Sequence, residues 1–346
     1  MTLTPEIEPR PRPRHVGLIG AGGIARPHLD AWIALGADVA VYAVEGSERL
    51  AEEYGIRRVS TLPELFEFAD FVDICTPTPT HHELALAAID AGLDVICEKP
   101  IARTVEQGRA IEAAASAAGV AVYPGHVVRF FPEYRAAKMA IDDGTIGRAA
   151  ILRFARTGQA PAAGSWFYDE AQSGGIVMDQ MLHDIDQAVW MAGPVLEVYA
   201  TQNPMAVDGV LVAPISAQLA LTHADGAISY IAGTWGPPGT VFRTSFELAG
   251  DRGVLPFDSL ANPTVLTQLA EVESVSYLPS TGSNESPYLT ELREFADAFA
   301  GGPKPRVSIA DAIIAVGIAQ AAEQSLASGL PVAIETMPAV GSRVFA

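Results

Sequence analysis

The chain has 346 residues, 49% of them hydrophobic and 18% charged, which is enough for two domains with sizeable cores and too apolar for a disordered chain. Its 22 basic residues stand against 41 acidic ones, a net charge of -19, and that balance disfavours nucleic acid and anionic membrane as partners. Residues 1–14 hold four prolines and three arginines without an apolar run, so they read as a disordered leader and not as a signal peptide. No run of about 18 apolar residues suggests a membrane span. Cys75 and Cys97 each end an apolar run and read as buried reduced thiols, which points to the cytoplasm.

An apolar run at 15–19 flows into Gly20-Ala21-Gly22-Gly23-Ile24-Ala25 and then into a periodic segment with Leu29, Trp32 and Ile33. This predicts strand, tight turn, helix. Gly20 bends the backbone, Gly22 lets it approach a ligand, and Ala25 lets the helix sit close to the strand. Gly20, Gly22, Gly23 and Ile24 thereby become candidates for a dinucleotide's pyrophosphate, which the free N–H groups and dipole of a helix amino end attract. Strand-like runs at 39–44, 71–76, 95–97 and 120–123 alternate with helical ones at 47–54, 83–91 and 105–118. The expected fold class is α/β, a Rossmann doubly wound parallel sheet over residues 15–124.

Beyond Pro124 the rhythm changes. Runs at 149–155, 195–202, 209–221, 227–235, 242–249 and 253–257 are strand-like and largely consecutive, with Asp225-Gly226 as a hairpin signal. Helical periodicity returns at 288–299 and 309–328, the latter opened by Ser308 with Asp311 three residues on. A second α/β domain over 125–346 follows, with a large, open, mainly antiparallel sheet. A like subunit is the simplest cover for its bare face, so a homodimer or homotetramer is expected.

Ligands of open α/β sheets collect beyond the carboxyl ends of the strands. There lie Thr76-Pro77-Thr78-Pro79-Thr80-His81-His82 and Glu98-Lys99-Pro100. Glu98 and Lys99 are either a solvated ion pair at a turn or, at a cofactor edge, a place where Lys99 holds a substrate hydroxyl. Pro100 keeps Lys99 extended and leaves cis or trans open. After Ser173-Gly174-Gly175, an advance of about 100° per residue puts Asp179, His183, Asp186 and Trp190 in one stripe, apart from an apolar face of Met178, Met181, Leu182, Ile185 and Val189. The pair is either a structural Asp–His hydrogen bond or a general base, His183, with Asp179 orienting it or binding substrate. A metal would need His81, His82 or His126 to converge, and without a ligand spacing none is expected.

Together these motifs resemble the Gfo/Idh/MocA family of NAD(P)-dependent oxidoreductases. The glycine turn with His28, Thr76-Pro77 with His81, Glu98-Lys99-Pro100, Gly125 with Arg129-Phe130 and Pro132-Glu133-Tyr134, and Gly174-Gly175 with Asp179, His183 and Asp186 stand in the family's order, as does Gly250 with Gly253. The resemblance implies hydride transfer between nicotinamide and a hydroxyl-bearing carbon of a sugar, cyclic polyol or derivative. It implies His183 as general acid/base, Lys99 polarising or holding the oxygen and Asp179 fixing His183 or a neighbouring hydroxyl, so that Lys99, Asp179 and His183 bind substrate together with His126 and Trp166. It also implies cofactor contacts from Thr76, Pro77, His81, Glu98 and Lys99. Where relatives often end the second strand with an acid, this chain has Val44, then Glu45. Glu45 on the adenosine ribose favours NAD; Glu45 in solvent leaves NADP open, with Ser47 and Arg49 near. Phe167 stands where relatives often carry a basic residue, which suggests a less anionic substrate. Two other classes compete: a non-catalytic dinucleotide-binding regulator, and a glycosidase using bound NAD transiently.

Overall fold

The structure is a computed structural model describing residues 15–261 and 285–334; the leader expected at 1–14 lies outside the described residues. By contacts the chain divides into two units, one taking residues up to Ile101, Gln107–Phe130 and Ser283–Ile309, the other taking Ala102–Glu106, Phe131–Gly282 and the remainder. The change of unit expected at 124–125 therefore falls at Phe130, and a later stretch of chain returns to the first unit.

The first unit runs β1 (His15–Ile19), α1 (Ala25–Ala34), β2 (Asp38–Tyr42), α2 (Ser47–Tyr54), β3 (Arg57–Arg58), α3 (Leu62–Phe68), β4 (Phe71–Ile74), α4 (His81–Asp90), β5 (Asp94–Glu98), α5 (Val105–Ala118) and β6 (Val122–Gly125). Its six strands are parallel in the order β3-β2-β1-β4-β5-β6, the doubly wound order with its switch point between β1 and β4. Helices on both faces explain why β4 is buried at every residue and why the central strands read as unbroken apolar runs. The short α3 is capped by Thr61, whose Oγ1 accepts from the Glu64 amide at 3.3 Å.

The second unit holds α6 (Pro132–Asp142), β7 (Ala149–Gln159), α7 (Glu170–Ser173), a π turn at Val177–Met181, α8 (Leu182–Ala192), β8 (Val195–Asn203), β9 (Ile215–His223), β10 (Ile228–Gly236), β11 (Arg243–Gly250) and β12 (Val254–Asp258). Helix α9 (Pro287–Phe299) belongs to the first unit. Helix α10 (Ile309–Ser328) and β13 (Val332–Ala333) complete the second. The sheet order is β12-β11-β7-β10-β9-β8-β13, antiparallel except for the parallel pair β7 and β10. The strand expected at 209–221 starts only at Ile215. Burial now alternates, as in β9, because among the described residues helices cover one face only. Leu152, Phe154 and Arg156 of β7 are buried on that face while Arg153 is exposed on the other. Gly233 lets the π turn press on β10: a Cβ there would lie 2.5 Å from Met181 Cγ.

Helix α10 is long and apolar enough to cross a membrane. Its Ala312, Ile313, Val316, Ala319 and Ala322 are buried, and Ser325 Oγ accepts from the Ala200 amide at 2.9 Å while donating to the Leu330 carbonyl. It is packed as a core helix of this unit.

Candidate active site

The glycine turn has the space a dinucleotide needs. Gly20 has φ of +117°, and a Cβ there would stand 2.5 Å from the Cys75 carbonyl oxygen, so only glycine fits. Cβ atoms on Gly22 and Gly23 would meet nothing within 4 Å. Ile24 precedes α1 and its side chain makes no capping bond, so it does not occupy the first-turn N–H groups that would meet a pyrophosphate. Gly46, with φ of +80°, packs on Ala21, so the exposed Glu45 rides on a loop lying against the turn.

The two loops beyond β4 and β5 hang on one histidine. His81 is buried, its Nδ1 is 2.7 Å from the Pro100 carbonyl oxygen and its Nε2 is 2.8 Å from that of Thr76. Burial lowers its pKa against the pull of those carbonyls. His81 therefore ties Thr76-Pro77 to Lys99-Pro100, instead of presenting its own ring nitrogens outward. The Lys99–Pro100 peptide is cis. His126, just past β6, is also buried, and its amide donates to the Pro124 carbonyl.

Beneath these loops is a buried polar cluster. His28 of α1 is fully buried, with Nδ1 2.9 Å from Asp73 Oδ2 and Nε2 3.0 Å from Glu98 Oε1. Two carboxylate partners call for a donor at both ring nitrogens, an imidazolium. Burial opposes that charge, but Asp73 and Cys75 together outweigh it and hold the His28 pKa well above the usual imidazole value. Trp32 Nε1 donates to Asp73 Oδ2 at 2.7 Å, and the Cys75 thiol donates to Asp73 Oδ1 at 3.6 Å. Donor atoms of His28, Asp73 and Cys75 lie within 4.8 Å of one another; this is a hydrogen-bonded cluster capped by the Trp32 indole. Cys75 and Cys97 are free buried thiols, as expected, and burial raises both pKa values.

In the second unit the helix carrying Asp179 and His183 is not one α-helix. Gly174 and Gly175, with φ of +70° and +64°, end α7. The chain then makes a π turn at Val177–Met181 before α8. An i→i+5 turn breaks the 100° arithmetic, and the expected stripe divides: Asp179, His183 and Trp190 are half-buried while Asp186 is buried. Such a turn often marks a functional position in a helix, and here it contains Asp179. The buried Arg156 of β7 anchors it from below. Its Nε and Nη2 donate to Asp184 Oδ2 and Oδ1 at 3.0 and 2.9 Å, and Gln180 Nε2 donates to the Arg156 carbonyl at 2.8 Å. Arg103 holds α7, donating to the Glu170 and Ala171 carbonyls and to Glu323 Oε2. Trp166 stacks on Phe167 at 4.1 Å, both half-buried.

Residues 14–126 match the family described as "Oxidoreductase family, NAD-binding Rossmann fold", and residues 134–255 match the "GFO/IDH/MocA C-terminal domain". The scyllo-inositol 2-dehydrogenase (NAD(+)) of Bacillus subtilis is 31% identical over 304 residues, 84% of this chain and 85% of that protein. The chain belongs to the Gfo/Idh/MocA family of oxidoreductases. The 1,5-anhydro-D-fructose reductase of Ensifer adhaerens is also 31% identical, over 92% of this chain and 98% of its own length. Among solved structures, GenD2 from gentamicin A biosynthesis, in complex with NAD, superposes with a TM-score of 0.84 at 25% identity, covering 97% of this chain and all of that one. This Gfo/Idh/MocA protein is an NAD-dependent oxidoreductase, and the open cradle at Gly22 and Gly23 fits that cofactor. Asp73, Arg156, Gln180 and Asp184 escape the sequence reading of this member. A lone acid in an otherwise apolar strand, as Asp73 is, was the available sign.

Proposed function

We propose that the protein transfers hydride between NAD and a hydroxyl-bearing carbon of a sugar, cyclic polyol or derivative. The glycine cradle followed by Glu98-Lys99-Pro100 carries this reading, and the activities named for the inositol and anhydrofructose relatives support its substrate class. Bound NAD supplies the hydride acceptor. His183 accepts the proton of the hydroxyl whose carbon gives up hydride, and returns it in the reverse direction. Asp179 orients His183, and Lys99 polarises the oxygen as it becomes a carbonyl. His126 and Trp166 contribute substrate contacts, with Thr76, Pro77 and His81 forming a cofactor wall. Glu45 takes the adenosine ribose, where its charge repels a 2′-phosphate and disfavours NADP. The protein works in the cytoplasm as a homodimer or homotetramer built on the second unit's open sheet.

The test is a titration with NADH and NADPH, then a dehydrogenase screen over inositols, sugars and sugar acids. His183→Ala and Lys99→Ala are each expected to lower kcat by about 100-fold or more while NADH still binds. Wild-type turnover in both variants would refute the assigned roles. Nicotinamide that co-purifies and is never consumed would point to the glycosidase alternative.

A further inference from the structure

Lys99 sits immediately beyond β5, and its backbone is fixed by a side chain. Its amide donates to Glu98 Oε2 at 3.0 Å. The other oxygen of that carboxylate faces His28 Nε2 at 3.0 Å, and the far side of the same ring faces Asp73 Oδ2 at 2.9 Å. Trp32 Nε1 in turn holds Asp73 Oδ2. The chain of bonds thus runs from α1 through β4 to the residue after β5, with Trp32, His28, Asp73 and Glu98 all buried. On the other side of Lys99, the Pro100 carbonyl is held by His81.

Three ionisable groups in a dry interior are a costly means of holding a fold together, since apolar side chains of like volume stabilise as well or better. Their directional bonds give something apolar packing lacks, a defined orientation for one carboxylate. Gly125 bears the same mark. It pairs with Glu98 across β5 and β6, and a Cβ there would lie 2.9 Å from Glu98 Oε1. Its φ is not in the left-handed region, so the requirement for glycine is one of space, and the space belongs to the Glu98 carboxylate.

We propose that Asp73 and His28 are positioning residues for Lys99, acting through the Glu98 carboxylate, and that Gly125 is glycine to leave that carboxylate in place. None of these side chains needs to touch substrate. The catalytic consequence rests on the role given to Lys99 above; the structural one does not.

The first measurement needs no substrate: hydrogen exchange at the Lys99 amide in the purified full chain. His28→Ala and Gly125→Ala are expected to speed that exchange by about tenfold or more. Glu98→Gln, whose single amide oxygen cannot accept from both the Lys99 amide and the protonated His28, is expected to speed it as well. His223→Ala is the control for general loosening, because it removes an equally buried histidine, hydrogen-bonded to Ser229 Oγ at 2.8 Å, from the second unit. The second measurement is a double-mutant cycle with the best substrate of the polyol screen. Gly125→Ala is expected to lower kcat by about tenfold when Lys99 is present and to have little further effect in the Lys99→Ala background, with NADH affinity nearly unchanged in both. Unaltered Lys99 exchange in both His28→Ala and Gly125→Ala, or an equal response to His223→Ala, overturns the positioning role. If exchange responds as expected but Lys99→Ala turns over at the wild-type rate, the bonds stand as a staple of the loop and the catalytic role of Lys99 falls.

Discussion

Glu291 of α9 lies against the buried cluster without a bond of its own. It is fully buried, and neither carboxyl oxygen finds a hydrogen-bond partner among the described residues. Burial first, then the charge of Glu98, pushes its pKa well above the ordinary carboxylate value. An unsatisfied buried polar group costs about 1–3 kcal/mol, and methionine is of similar volume. Glu291→Met is therefore expected to raise stability by about 1 kcal/mol or more, seen as a higher Tm. A fall in Tm would show that the acid has a use. At this scale the sequence was legible only in part. Gly20, Gly22 and Lys99 announce themselves by motif, whereas Asp73, a lone acid in an apolar strand, escapes that reading. Its partner His28 is 45 positions away, and His28 and Glu98 are 70 apart. Such pairings are made by topology, which local pattern does not encode.

Elements defined by sustained periodicity were read closely: the helices at 47–54, 105–118 and 309–328 begin and end where the pattern does. The seven-residue α3 offered only its Thr61 and Glu64 cap, too little against a short apolar stretch. The π turn was invisible, because one extra residue in a turn changes phase without changing composition. What holds that turn and α8 on the sheet is the Arg156–Asp184 pair. The neighbouring Asp184 raises the buried Arg156 pKa despite the opposing cost of burial. Removing one partner of such a pair leaves a bare charge, so Asp184→Ala is expected to lose about 3–5 kcal/mol in urea denaturation; a loss below about 1 kcal/mol would show the pair dispensable. Between α10 and α7, burial lifts the Glu323 pKa to about 7, with Arg103 pulling it back and Glu170 adding to the rise. The folded state then binds more protons than the unfolded one between the ordinary carboxyl pKa and about 7, so this group's contribution to stability declines as pH rises through that window. Glu323→Gln is expected to flatten the fall of Tm between about pH 5 and 7. An unchanged slope would mean that Glu323 titrates normally.

At the scale of the whole molecule the second unit's sheet poses the remaining question, since helices cover one face while the other carries Arg153, Tyr230 and Glu247 outward. Tyr230 is 45% exposed and Tyr199 40%, each flanked in its strand by buried residues of the covered side. Arg153 and Glu247 pair across β7 and β11 at 2.6 Å, so the open face is largely neutral even though the chain carries a net charge of -19. A broad, partly aromatic and locally neutral sheet face suits a second copy of itself better than a charged partner. Two such acidic chains still repel at long range, and salt screens that repulsion. Association is therefore expected to tighten as salt is raised, and Tyr230→Arg, which would set two like charges close to each other across a two-fold axis, is expected to shift the protein toward a 36.4 kDa monomer. Light scattering after size exclusion decides it: a wild-type chain that runs as a monomer at every salt concentration would mean that the bare face is left to water or to a different protein.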